Sequence, residues 1–226
     1  MTQGHFDGTR DARVDWLLQK VDVNGLNILE LGPLEAAHTT MLEKKGGVIV
    51  AIESNIGAFL RCLIVKNYLN LQAKFMLGDF EKMSFSDQSY DLVMASGVLY
   101  HLKDPVDFLC RMSPTTQRLF IWTHYFEPDL SLWNAGLEAL LQAGKWDHKN
   151  PILKGVGSHQ YRLVKQSYGD ALGWSGFCGG TDVYSHWLYK QDLLDLLARN
   201  GFNKVAVAFD AVDHPNGPSF CLYCEK

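Results

Sequence analysis

Short apolar runs and helically spaced apolar positions alternate along the first half of the chain. Val14, Leu17, Leu18 and Val21 recur at helical spacing, so Asp11 to Val21 is predicted as a helix. Leu26 to Leu31 is a short apolar run that stops at Gly32-Pro33, a strand followed by a turn. Thr39 to Lys45 is predicted as a short helix ended by Gly46-Gly47, and Val48 to Ile52 as a strand buried on both faces. The pattern continues with a helix over Ile56 to Leu69 and strands over Ala73 to Leu77 and Asp91 to Ala95. A helix follows over Pro105 to Met112, its proline in the first turn, and then a fifth strand over Arg118 to Thr123. Near the end come a helix over Gln191 to Arg199 and strands over Lys204 to Asp210 and Ser219 to Cys224. The short, turn-rich link between those strands predicts an antiparallel hairpin.

Strand–helix alternation at this spacing predicts an α/β fold. The expected form is a Rossmann-like, doubly wound, mostly parallel sheet closed by the C-terminal antiparallel hairpin. Residues 1–226 are read as one domain. Residues 125–184, between the fifth strand and the last helix, are read as an inserted cap over the sheet's end, because so long a loop in a compact domain is functional or carries its own elements. Within it, Ser131 to Gln142 shows helical spacing. At least half of the insertion's tryptophans, Trp133, Trp146 and Trp174, are expected to form its own small core.

Composition narrows the class. With 21 Lys+Arg against 25 Asp+Glu, the net charge of −4 opposes general binding of nucleic acid, which rests on cations neutralising phosphates. No apolar run approaches a membrane span, and Met1 to Asp15 has no secretory pattern, so a cytoplasmic protein is expected. Five scattered cysteines suit a reducing compartment. Cys221 and Cys224 have metal-ligand spacing, but on a strand they point to opposite faces and are read as strand residues.

Four features fall at predicted strand ends, where open α/β sheets bind ligands. Glu30 precedes the turn Gly32-Pro33, whose glycine allows close backbone approach. Glu53 ends the second strand, with Ser54 and Asn55 after it, and can accept hydrogen bonds from ribose hydroxyls. Gly78-Asp79-Phe80 can hold an adenine amino group and flank its ring. Ser96, Gly97, Tyr100 and His101 lie in the turn after the fourth strand. No phosphate-binding glycine motif is present, and Glu35 would oppose a pyrophosphate. The expected ligand therefore pairs adenosine with a cationic or zwitterionic tail, as S-adenosyl-L-methionine does, with Glu30 near its ammonium group.

These residues resemble the class I S-adenosylmethionine-dependent methyltransferases. The match lies in Ile28-Leu-Glu-Leu-Gly32, Ala51-Ile-Glu53, Leu77-Gly-Asp79-Phe80 and the run Tyr90 to Leu102, and spans Val14 to Arg118 and Gln191 to Lys226. Leu34 and Ala36 or Ala37 stand where that family has further glycines. Gly97-Val-Leu-Tyr-His101 is also similar to tRNA wobble-uridine carboxymethyltransferases, which use a carboxylated cofactor. No dedicated Lys or Arg for the extra carboxylate is evident, Arg61 and Lys66 being on the helix over 56–69, so the ordinary cofactor is expected. Together with Trp122-Thr-His124-Tyr and Asp213-His-Pro-Asn-Gly-Pro218, the motifs look like bacterial methyltransferases assigned to glycan or secondary-metabolite pathways.

The resemblance implies methyl transfer to a small molecule, most readily at a hydroxyl, where a histidine base assists. His124, after the fifth strand, is the first candidate. Tyr100, His186 and His214 are further catalytic or substrate-contacting candidates, His159 is a weaker one in the cap, and His101 is expected to line the cofactor. His124, Glu127, Asp129, Asp210, Asp213 and His214 are metal-ligand types that could converge, but no spacing fixes a site, and no metal is expected. A tRNA-modifying enzyme and a non-catalytic cofactor-binding module are the alternatives. A homodimer is left open.

Overall fold

The computed structural model describes residues 10–85, 88–174, 176–177, 179 and 182–226. A seven-stranded sheet has the order β3-β2-β1-β4-β5-β10-β9. Its parallel strands are β1 (Asn27–Leu31), β2 (Val48–Glu53), β3 (Lys74–Leu77), β4 (Leu92–Ser96) and β5 (Arg118–His124). β9 (Lys204–Ala211) and β10 (Ser219–Glu225) form the antiparallel edge, β10 pairing with β5. The helices of this unit are α1 (Ala12–Lys20), α2 (Ala37–Glu43), α3 (Ile56–Leu69), α4 (Pro105–Met112) and α6 (Lys190–Arg199). All these elements fall within two residues of the sequence expectation.

Both sheet faces are covered, which is why the strands are almost wholly apolar. Leu29, Val93 and Ile121 face α4 and α6, whose Phe108, Leu109, Leu193 and Leu197 complete one core. Ile28, Met94 and Phe120 face α1 and α2 on the other side, against Val14, Leu17 and Leu42. Cys221 and Cys224 lie in opposite cores, as strand alternation requires, and the four described cysteines are free. Cys178 lies outside the described residues.

The chain runs from β1 outward to β3, then returns to place β4 on β1's other side. The sheet therefore reverses its order between β1 and β4, and the loops after those strands open a crevice there. Asp104 caps α4 above this crevice, accepting from the Asp107 N–H, and Pro105 fills the first turn.

Residues 125–184 depart from the single-helix expectation. A second, antiparallel sheet of β6 (Trp146–Val156), β7 (His159–Ser167) and β8 (Tyr184–Leu188) dominates, and it runs past Tyr184. The helix expected over 131–142 is broken into 3-10 turns at Leu130–Leu132 and Ala135–Leu137 and a short α5 (Glu138–Gln142). The break is local chemistry: the Asn134 side chain accepts from the Gly136 N–H, offering the backbone an alternative to the helix ladder. β6 escapes a period-2 reading because its register shifts between Asp147 and Ile152, around Pro151. The readable signal was the two-residue link Gly157-Ser158, with Gly157 at φ +58°, which closes the β6–β7 hairpin. One side of this sheet gives Tyr161, Leu163 and Leu188 to the main core. The other gives Trp146, Val164 and Trp187 to a cluster with Phe126 and Trp133. Trp174, by contrast, is exposed.

Candidate active site

The loop after β1 is held in a left-handed zigzag. Gly32 (φ +62°), Leu34 (φ +55°) and Ala36 (φ +60°) alternate with ordinary residues. A Cβ on Gly32 would stand 3.2 Å from Val98 Cγ2, so glycine serves both the turn and the approach of the β4 loop. Leu34 and Ala36 keep a glycine-like backbone with side chains attached, a strained arrangement. Glu53 holds it. One carboxylate oxygen accepts from the Leu34 N–H at 3.1 Å and the other from the Asn55 N–H at 2.8 Å. Burial pushes this carboxyl's pKa up, while the backbone donors pull against that rise.

Between this loop and the loops after β2, β3 and β4 lies a cavity of about 240 Å³. Gly32, Pro33, Glu53 and Ser54 line one side, and Asp79 and Phe80 another. Ser96, Gly97, Tyr100 and His101 close it from the β4 loop. Gly97 is left-handed, and a Cβ there would meet the Trp122 ring at 3.3 Å. The Ser96 hydroxyl is buried without a hydrogen-bond partner.

Three residues expected here stand outside the lining. Glu30 is buried and turned to α2, where the Thr39 hydroxyl donates to it at 2.5 Å; burial raises its carboxyl. Asn55 caps α3 by accepting from the Ala58 N–H. Gly78 donates its N–H to the Glu53 carbonyl, tying β3 to β2.

Several lining residues were missed by sequence reasoning, among them Asp11, Arg13, His38, Glu81 and Asp182. Asp11, the cap of α1, accepts a fork of hydrogen bonds from Arg13 and lies 3.0 Å from His38 Nε2. These partners hold the Asp11 carboxyl well below the usual carboxylate range, against its burial. The Arg13 guanidinium sits 4.5 Å over the Trp122 ring. The expectation that no dedicated Lys or Arg for an extra carboxylate stands near the site is thereby corrected: α1 folds back and brings Arg13 into the lining, paired with Asp11. The signal was the helix cap itself, whose tertiary direction a sequence does not carry. Arg61 is engaged with Glu35 at 3.0 Å, and Lys66 with the Ala73 carbonyl.

Beside the cavity, rings gather from four stretches of chain. Tyr100 meets His101 at 4.2 Å, His124 at 4.6 Å and Trp122 at 5.9 Å. His124 stacks on Trp187 at 5.1 Å with the planes 9° apart. Its Nδ1 lies 2.8 Å from the Gly217 carbonyl, which can only accept, so Nδ1 carries the proton and Nε2 the lone pair. Gly217 is left-handed at φ +113°, and a Cβ there would stand 2.6 Å from Trp187. Burial, aided by the charges of His214 and Lys145, lowers His124 to about 4. His101, enclosed beside it, is lowered to about 3 and lies 2.8 Å from the Tyr168 hydroxyl.

His124 is one ring behind the cavity wall rather than in its lining. His214 is 5.2 Å from His124, its Nδ1 accepting from the Asn216 N–H. His186 stands apart. It donates to the Lys103 carbonyl and joins β8 to the segment after β4. The six candidate metal ligands do not converge as a set: His124 and His214 are neighbours, but Asp210 binds Tyr125 and Lys190, and Asp129 binds Ser131. Among the described residues, no group of three or more His, Cys, Asp or Glu is placed to hold a metal. No helix among them is long and apolar enough to cross a membrane.

Residues 29–117 match a family described as a methyltransferase domain. A curated relative, the tRNA U34 carboxymethyltransferase of Ectopseudomonas mendocina (strain ymp), is 34% identical over 111 residues. These cover 46% of this chain and 34% of that protein, so the chain spans about a third of the relative's length. Among solved structures, the N-terminal domain of EvdMO1 with SAH bound superposes with a TM-score of 0.71 at 20% identity, over 100% of this chain and 82% of that one. Magnesium protoporphyrin IX methyltransferase from Synechocystis PCC 6803 with bound SAH gives 0.60 at 17% identity, over 94% and 80%.

Proposed function

We propose that the chain is a class I S-adenosylmethionine-dependent methyltransferase, a reading supported by the matched methyltransferase domain and the shared fold, and that it methylates a hydroxyl of a small, ring-bearing acceptor. In this reading 1–226 is one methyltransferase domain and 125–184 its substrate cap. The observation that carries the reading is the ring-lined cup of Tyr100, Trp122 and Trp187 around a neutral His124, adjoining the cavity.

The cavity's donors and acceptors suit S-adenosylmethionine, which supplies an electrophilic methyl group on a sulfonium centre when bound. Glu53 has lone pairs left for two ribose hydroxyls, with Ser54 beside it. Asp79 and Phe80 would hold and flank the adenine, and the unpartnered Ser96 hydroxyl gains a partner. Gly32, Pro33 and Gly97 let the backbone approach. Arg13 is placed for the methionine carboxylate, and Asp11 takes over the ammonium role first expected of Glu30.

His124 then acts as the base. Its low pKa keeps Nε2 unprotonated at neutral pH, and the Gly217 carbonyl fixes the tautomer. An acceptor lying against Tyr100 and Trp122 is one ring away from His124, and Tyr100 helps to align it. His214 borders the same cup. The test is methyl transfer to a panel of phenols and sugars, followed by His124→Asn. The expected loss in kcat is about 100-fold or more with cofactor affinity unchanged. Near wild-type turnover removes His124 as base.

A second reading, a carboxylated cofactor, draws on Arg13 in the cavity and on the similarity to the tRNA U34 enzyme. Calorimetric titration with both cofactors separates the two: tighter binding of the carboxylated form, lost in Arg13→Ala, would favour it.

A further inference from the structure

A second cavity, of about 980 Å³, lies in residues 130–167, between the 3-10 turns, α5 and the start of β6. It shares no lining residue with the sheet-end cavity. Trp187 links the two, 6.2 Å from Tyr100 on one side and 5.2 Å from Trp146 on the other.

Its chemistry is specific. Trp133 and Trp146 give it aromatic walls. Trp133 donates its indole N–H to the Glu127 carbonyl, but the Trp146 indole N–H is buried with no acceptor, on a residue only 2% exposed. A buried donor left unpaired is unfavourable, and a ligand acceptor would relieve it. Lys145 is half-buried over the Trp146 ring, its Nζ 5.0 Å from the centroid. Lys145, Lys149 and Lys165 all line the cavity, and none has a carboxylate partner among the described residues. Two carboxylates also line it, Asp147 accepting from the Asn150 amide and Glu138 from the Gln142 amide, so its lysines outnumber its acids three to two. Burial also holds the Lys145 ammonium below its ordinary pKa, as a cation without a counterion is held.

We propose that this groove is a binding site for a small anionic molecule that bears a ring. Its carboxylate or phosphate pairs with Lys145, Lys149 and the Trp146 indole N–H, and its ring lies against Trp133. The site stands independently of the methyl-transfer reading.

Phenyl phosphate is the probe, with phenol and inorganic phosphate as controls. Full-length 15N-labelled protein is titrated while the Trp146 indole resonance, identified by its absence in Trp146→Phe, is followed. The expected result is a saturable shift with phenyl phosphate, and binding about tenfold or more weaker for either control. The shift survives saturation with S-adenosylhomocysteine. The double variant Lys145→Ala/Lys149→Ala weakens binding about tenfold or more with an unchanged melting temperature, and Lys145→Arg retains it. No saturable shift, or one that the double variant leaves intact, overturns the proposal. So does equal binding of phosphate alone, which describes a nonspecific anion patch. Loss of the shift with S-adenosylhomocysteine bound overturns it as well, since the probe would then sit in the sheet-end cavity.

Discussion

The sheet-end cavity and the ring-lined cup beside it meet at Tyr100 but are built by different means. The cavity is made of turns that directly follow parallel strands, and backbone groups fix its parts. Glu53 is anchored by two N–H groups, and Gly32 and Gly97 are left-handed. The cup takes its rings from the β4 loop, β5, β8 and the β9–β10 link, and side-chain contacts hold them: ring-on-ring packing, the Gly217 carbonyl at His124, the Gln166 side chain at the Trp187 indole N–H and the Arg13 guanidinium over Trp122. A site of the first kind follows from the sheet's topology. A site of the second kind depends on each ring in it.

The largest expected effect breaks the cup alone. Trp187 is 1% exposed and touches Tyr100, His124, Trp133 and Trp146. Trp187→Ala should cost about 3–5 kcal/mol in denaturant unfolding. Binding of S-adenosylhomocysteine should survive under native conditions, because Tyr100 is the one cavity-lining ring in contact with Trp187, and Glu53, Asp79 and Gly97 do not touch it. Parallel loss of binding would show that the two regions are one unit.

Acidification tests the same boundary. His101 and His124 have folded pKa values held below the ordinary 6.5, at about 3 and about 4. The unfolded chain therefore takes up protons first, and stability falls as pH drops below 6.5 toward 4. The slope approaches about 1.4 kcal/mol per pH unit for each histidine. Thermal melting from pH 7.5 to 4.5 measures it, and His124→Asn should remove part of the slope. The raised carboxyls of Glu30 and Glu53 act in the opposite sense, so the variant decides: a slope that His124→Asn leaves unchanged would mean that this ring is less enclosed than its contacts imply.

On the cavity side, Glu53→Gln keeps the shape and removes the charge. Calorimetry should show cofactor affinity falling about 10- to 100-fold, as for a hydrogen bond to a charged group. The smallest effect is a gain. Leu34→Gly relieves a left-handed leucine and should raise stability by about 0.5–1 kcal/mol after the added freedom of the unfolded chain. Ala36→Gly should gain less, since its buried methyl is lost. If Leu34→Gly destabilises, the loop is held by the leucine side chain and not by its backbone.

The sequence by itself determined the main sheet, its order of elements and the strand-end part of the cavity. Those features rest on local signals: apolar periods of two and 3.6, turn residues at strand ends, and acids placed one per strand. Gly32, Glu53, Asp79 and Gly97 converge because parallel strands bring their C-terminal ends to one edge. Only the tertiary structure decided the rest. Glu30 turned to Thr39, because a strand residue's face depends on the helix that covers it. Arg13 and His38 entered the cavity, because α1 packs back on the sheet beside Trp122. The second sheet arose from hairpin pairing around a register shift, which no regular period records. The environment of His124 was decided last of all. Its proton position, its low basicity and its stacking partner come from Gly217 and Trp187, dozens of residues away in the chain, and such contacts exist only once the chain has folded.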